Sequence, residues 1–145
     1  MMYLVDTNVV SELRKSSASR GRSATVDRNL LAWTQSVPAA SQFLSVISIL
    51  ELETGALLME RRDPRQGAVL RSWLQNYVLP TFDGRILPVD TPVAQKCAAL
   101  HVPNPRSQRD ALIAATAMVH GMTVVTRNIS DFEPTGVALL NPWQP

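Results

Sequence analysis

The sequence has little cysteine, little histidine, little net charge and no long apolar run, and each shortage excludes something. One cysteine, Cys97, permits no internal disulfide and no thiolate metal cluster. Two histidines, His101 and His120, are too few for a histidine-rich zinc or copper site. No apolar run approaches the roughly 18 residues that a membrane-crossing helix requires. The apolar stretch 1–5 stops at Asp6 with no cationic flank, so a cytoplasmic chain without a secretory signal is expected. The formal charge of +2 is too small to argue nucleic-acid binding. Two cores of ordinary size would need more than 145 residues, so one domain spanning 1–145 is expected.

What is present is globular in character: 46% hydrophobic, 18% charged, mean hydropathy +0.01. All 14 cations except Lys15 and Lys96 are arginine. Arginine forks phosphate bidentately, so the bias is compatible with a phosphate-rich partner, although GC-rich coding produces the same bias.

Tyr3-Leu4-Val5 reads as a buried strand entering a helix over about 9–14, with Asp6, Thr7 or Asn8 as its cap. The small, polar, basic stretch 15–24 reads as a surface loop. A helix is expected over about 26–37, with Leu30, Leu31 and Trp33 on its apolar side. A strand over 43–47 then leads to a helix capped by Ser48 and ending near Arg62. Beyond Pro64 a helical stretch carries Val69, Leu70, Trp73, Leu74 and Tyr77 at spacings of three and four. A strand at 85–89, a helix opened by Thr91-Pro92 and a helix from a Ser107 cap to His120 and Gly121 follow. Strands at 122–126 and 137–140 complete the pattern. The alternation predicts an α/β fold, a three-layer α/β/α sandwich on a mostly parallel sheet of four or five strands.

Helical crossovers place all carboxyl ends of parallel strands on one edge, where ligands bind. Asp6 ends the first strand there, Glu51 lies near the start of the helix after the second, Asp110 is in a helix's first turn, and Asp131 follows the fourth strand. Gathered carboxylates repel unless cations bind among them or some take up protons. Oxygen-only donors suit Mg²⁺ or Mn²⁺, which activate water and stabilise a transferring phosphoryl group. The chemistry indicated is metal-assisted hydrolysis of a phosphodiester. The competing reading is that each acid is only a cap or dipole partner worth about 0.3–1 kcal/mol.

These residues also carry a resemblance. The opening Tyr3-Leu4-Val5-Asp6-Thr7-Asn8-Val9-Val10-Ser11-Glu12 resembles that of PIN-domain toxins of the VapC type. Glu51-Leu52-Glu53-Thr54-Gly55 is similar to the family's second motif, and Arg109-Asp110-Ala111-Leu112-Ile113-Ala114-Ala115-Thr116-Ala117 to its third. Thr126-Arg127-Asn128-Ile129-Ser130-Asp131-Phe132 matches the fourth, and Asn141-Pro142-Trp143 resembles the usual ending. Phe82-Asp83-Gly84-Arg85-Ile86-Leu87-Pro88 is similar to a segment of the FitB branch.

The resemblance implies a PIN-like nuclease domain and an Mg²⁺- or Mn²⁺-dependent endoribonuclease, the toxin of a toxin–antitoxin pair. It carries the acid and metal-ligand roles to Asp6, Glu51 and Asp110. Relatives place the fourth acid at the position of either Asn128 or Asp131; since Asn128 is neutral here, Asp131 is favoured. Thr126 and Asn128 are the candidates for ordering the site by hydrogen bonds, or are simply turn residues. Hydrolysis leaving 5′-phosphate and 3′-hydroxyl ends is expected, with the loops of structured RNA, tRNA among them, as substrate. The implied partners are a small DNA-binding antitoxin, operator DNA through that antitoxin alone, and a second copy of the chain docked through the 48–62 and 91–100 helices; no membrane is implied. Stretch 15–24 is longer than the link in relatives, so Arg20, Arg22 and Arg28 either meet RNA phosphates or belong to a solvated insertion. The rival reading is a PIN-fold interaction module without catalysis. A phosphorelay receiver is disfavoured because neither lysine follows a late strand.

Overall fold

The computed structural model describes the backbone at residues 1–18 and 26–145. Five short apolar segments form one sheet: β1 (Tyr3–Val5), β2 (Gln42–Ser45), β3 (Ile86–Leu87), β4 (Thr123–Val125) and β5 (Leu139–Leu140). Their order is β3-β2-β1-β4-β5, and every described pairing is parallel. Parallel neighbours cannot be joined by tight turns, so helical connections cross the sheet faces. α1 (Thr7–Ala18) and α2 (Arg28–Ser36) join β1 to β2. α3 (Val46–Arg62), α4 (Pro64–Trp73), a widened helical turn at Leu74–Val78 and α5 (Leu79–Thr81) lead to β3. α6 (Thr91–Leu100) and α7 (Gln108–His120) lead to β4, and α8 (Ile129–Phe132) to β5.

Side chains alternate across a strand, and that period sorts the core into layers. Val5 and Val125 pack with Val9, Val10, Leu30, Leu52 and Leu74 on one face of the sheet. Their neighbours Leu4 and Val124 pack with Ile113, Ala114, Ala117 and Phe132 on the other. α6 sits on α7 through Val93, Cys97, Ala111 and Ala115. The three-layer sandwich is as the sequence predicts, with five strands. Trp33 and Trp73 pack against the first of these clusters, whereas Tyr77 is exposed.

Several boundaries differ from expectation, each for a local reason. α1 runs through Ala18 instead of ending near Arg14, supported by the Glu12–Lys15 pair at 3.1 Å and by Lys15 in its last turn. Residues 15–18 are therefore helical; the rest of the predicted 15–24 loop, with Arg20 and Arg22, lies outside the described residues. β2 stops at Ser45, whose hydroxyl accepts the Ile47 N–H and caps α3; Ser48 lies inside that helix. Asp27 caps α2. Asp90, not Thr91, caps α6 by accepting the Val93 N–H, leaving Pro92 in the first turn. Ser107 and the left-handed Gly121 (φ +66°) bound α7 as expected. The last strand begins at Leu139, not Val137.

α4 approaches α3 at Gly67, where an added Cβ would lie 2.5 Å from Glu60 Cα and 2.7 Å from Glu60 N. Backbone cannot yield as a flexible side chain does. Gly67→Ala is expected to destabilise the chain by about 1–3 kcal/mol, read as a lowered urea midpoint with unchanged slope. Burial pushes the Cys97 thiol up from its ordinary value. The native chain should therefore react with iodoacetamide at pH 8 much more slowly than the urea-unfolded chain, and equal rates would contradict this burial.

The strand order reverses between β1 and β4: successive connections step one way from β1 to β2 and β3, then cross to β4 and β5. Crossovers leaving in opposite directions open a crevice at the carboxyl ends of these two strands.

Candidate active site

Asp6 is the residue immediately after β1, and its backbone N–H donates to the Val125 carbonyl of β4 at 2.8 Å. This bond fixes it at the crevice. Its carboxylate is completely buried, where an unpaired charge would be costly. Four donors meet that need. Oδ1 accepts from the Thr7 N–H at 2.8 Å and Arg109 Nη2 at 2.6 Å. Oδ2 accepts from the Thr126 hydroxyl at 2.8 Å and Asn8 Nδ2 at 3.3 Å. Thr126, at the end of β4 and equally buried, itself accepts from Asn8 Nδ2 at 3.2 Å and the Asn128 N–H at 3.0 Å. Its single proton is thereby committed to Asp6.

Glu51 reaches the same place from the second turn of α3. Its Oε1 accepts the Thr7 hydroxyl at 2.5 Å, and that hydroxyl lies 2.9 Å from Ser48 Oγ. Its Oε2 accepts from Arg109 Nε. Asp110, in the first turn of α7, accepts from Arg109 Nη1 at 2.5 Å. Three carboxylates, from the residue after β1, from α3 and from α7, thus close on three nitrogens of one guanidinium. Burial works against the Arg109 charge. The hydrogen bond to Glu51, the charges of Asp6 and Glu51 and the bond to Asp110 outweigh it and hold the group above its ordinary range.

Asp131 is placed differently. It lies exposed on α8, and among the described residues its carboxylate joins none of these contacts. Asn128 contributes its backbone N–H to Thr126, while its side chain is exposed. The structure therefore brings Asp6, Glu51, Asp110 and Thr126 together and leaves Asp131 and the Asn128 amide outside the cluster. Sequence reasoning assigns no part in the site to Arg109, Thr7, Asn8 or Ser48. A signal exists for Arg109: it adjoins Asp110 at the start of a helix aimed at the acids, and gathered carboxylates demand a cation.

The donor set is chemically right for a hard divalent cation, since Asp6, Glu51 and Asp110 offer only carboxylate oxygens. Three carboxylates also carry more negative charge than one guanidinium neutralises, which favours a doubly charged ion. With Arg109 between them, no three acid, histidine or cysteine groups among the described residues are arranged to hold a metal. A cleft of about 730 Å³ opens nearby, lined by Lys15, Arg28, Arg127 and Trp143 together with Glu12 and Asp27. The Arg127 guanidinium stacks 5.3 Å from the centre of the Trp143 ring.

Comparison with known proteins adds four findings. The family model of the PIN domain matches residues 3–134. The chain is 36% identical over 149 residues to the VapC ribonuclease Y4jK of Sinorhizobium fredii, covering 99% of each. It is 36% identical to Toxin FitB of Neisseria gonorrhoeae, covering 98% of this chain and 99% of that one. Its fold matches the crystal structure of FitAcB from Neisseria gonorrhoeae with a TM-score of 0.84 at 35% identity, covering 99% of this chain and 100% of that one.

Proposed function

The chain belongs to the PIN-domain family, and on that premise we propose that it is the endoribonuclease toxin of a toxin–antitoxin pair, hydrolysing RNA phosphodiesters with Mg²⁺ or Mn²⁺. The observation that carries this reading is the convergence of Asp6, Glu51 and Asp110 on a single cation at the carboxyl edge of the sheet.

Asp6, Glu51 and Asp110 would hold the divalent ion, which when bound supplies an activated water and charge stabilisation at the phosphoryl group. The chain's own residues prepare that site. Thr126 and Asn8 fix Oδ2 of Asp6, so the carboxylate cannot rotate away from the crevice. Thr7 holds Oε1 of Glu51 and turns Oε2 inward. Asp131, exposed beyond β4, is assigned to orienting the attacking water or to a second ion, with Thr126 and the Asn128 backbone as the turn that carries its helix. Lys15, Arg28 and Arg127 line the neighbouring cleft with Trp143, a combination that suits a single-stranded backbone and a stacked base.

The partners proposed are a cognate antitoxin and a second copy of the chain. The first rests on the matches to Toxin FitB and to FitAcB, and contact with operator DNA would run through that antitoxin. The second is supported by Leu50, Leu57 and Leu58, which leave α3 with an exposed apolar face. α6, the other helix considered, turns Val93 and Cys97 into the core instead.

Induced expression of the wild-type chain should arrest growth and create new RNA ends, sequenced genome-wide, at recurring unpaired positions. The Asp110→Asn chain should do neither. New RNA ends that are equally abundant with both chains would refute the assignment, and arrest without new ends would favour the non-catalytic module.

A further inference from the structure

We propose that Arg109 is a built-in competitor of the divalent ion, holding the metal-free site closed across Asp6, Glu51 and Asp110 and having to swing out before an ion can bind. The inference rests on the metal-dependent reading above and adds what this chain does to its own ion affinity.

The geometry sets the two occupants in competition. Nη2, Nη1 and Nε of Arg109 each take an oxygen of a different carboxylate. The remaining oxygen of Asp6 is committed to Thr126 and Asn8, and that of Glu51 to Thr7. Asp110 keeps its second oxygen outside these contacts, so an ion shared by all three acids competes with Arg109 chiefly at Asp6 and Glu51. Charge-assisted hydrogen bonds are the strong kind, so their loss is a real cost of ion entry. The exchange is nevertheless feasible. Arg109 is 31% exposed and rooted in the first turn of α7, so its flexible stem reaches solvent without moving the sheet. Thr126, Asn8 and Thr7 stay where they are, which confines the rearrangement to one side chain. Three carboxylates against one guanidinium also leave net negative charge to draw the larger charge in.

Binding of Mn²⁺ alone, followed by calorimetry, tests this, with thermal unfolding measured in its presence and absence. Arg109→Met keeps the stem and removes the competitor. It should bind Mn²⁺ about tenfold more tightly than wild type, melt lower without metal, and gain more in melting temperature when Mn²⁺ is added. Arg109→Lys, which cannot bridge three carboxylates, should fall between the two and serves if the methionine variant does not fold. Arg65→Met removes an exposed cation of α4 that has no part in the site and should keep wild-type affinity.

Equal or weaker Mn²⁺ binding by both Arg109 variants would overturn the competition while leaving the metal-dependent reading intact. So would an equal gain by Arg65→Met, which would reduce the effect to general charge. Absence of Mn²⁺ binding in the wild type and every variant would overturn both.

Discussion

Replacing Asp6 by asparagine should abolish RNA cleavage and lower stability at the same time. The shape is kept, but the two carboxylate oxygens that serve four donors become one oxygen and one amide group. The new N–H bonds would point at the Thr126 and Asn8 donors or at those of Thr7 and Arg109. Either way buried donors lose their acceptor, and Arg109 loses the one negative charge beside it that is fully desolvated. We expect a cost of about 2–4 kcal/mol and a fall in melting temperature of roughly 10 °C. Cleavage should drop by at least about a hundredfold, since the acid would act in the transition state as well as in the fold. Paired melting curves and initial rates on one RNA check both halves. An Asp6→Asn chain as stable as wild type would mean that the donors around Oδ1 and Oδ2 do not hold a charge.

Asp110→Asn should separate what Asp6→Asn joins. Asp110 sits at the mouth of the site and receives one side-chain bond, from Arg109, which the amide oxygen still accepts. Losing its charge in the first turn of α7 costs about 0.3–1 kcal/mol in the helix dipole, so the melting temperature should move by only a few degrees. Cleavage should still fall about a hundredfold or more if the carboxylate is an ion ligand. Activity retained with a shifted melting temperature would reduce Asp110 to a helix-terminus charge, the bland reading that its position in sequence allows.

Much of the fold is legible in the sequence because its causes are local. The apolar runs at Tyr3–Val5 and Thr123–Val125 alternate with amphipathic stretches, and crossover topology then brings the residues that follow them to one edge. That is why acids as distant as positions 6, 51 and 110 can be placed together without knowing any packing. The capping residues are less legible. Ser45 and Ser48 are the same residue type three positions apart, and the choice between them depends on where β2 loses its partner β3, a tertiary fact. Asp131 illustrates the limit from the other direction: it follows the right strand, but α8 intervenes, and the helix sets the direction of the carboxylate.

Arg109 is the least legible residue of the site. Its identity as a cation in a helix's first turn is visible, even unfavourable to the helix dipole, yet its reach across α7 to Asp6 and Glu51 follows from how α7 packs on the sheet through Ile113, Ala114 and Ala117. Pattern reading supplies the carboxylates and the need for positive charge. Packing supplies which cation answers it.

The decisive experiment is the cleavage rate of one defined RNA hairpin by the purified wild-type and Asp110→Asn chains, each in Mn²⁺ and in excess EDTA. Cleavage should be confined to the wild type with Mn²⁺. Cleavage that continues in EDTA, or that survives loss of the Asp110 charge, would rule out a phosphodiesterase centre built on these carboxylates.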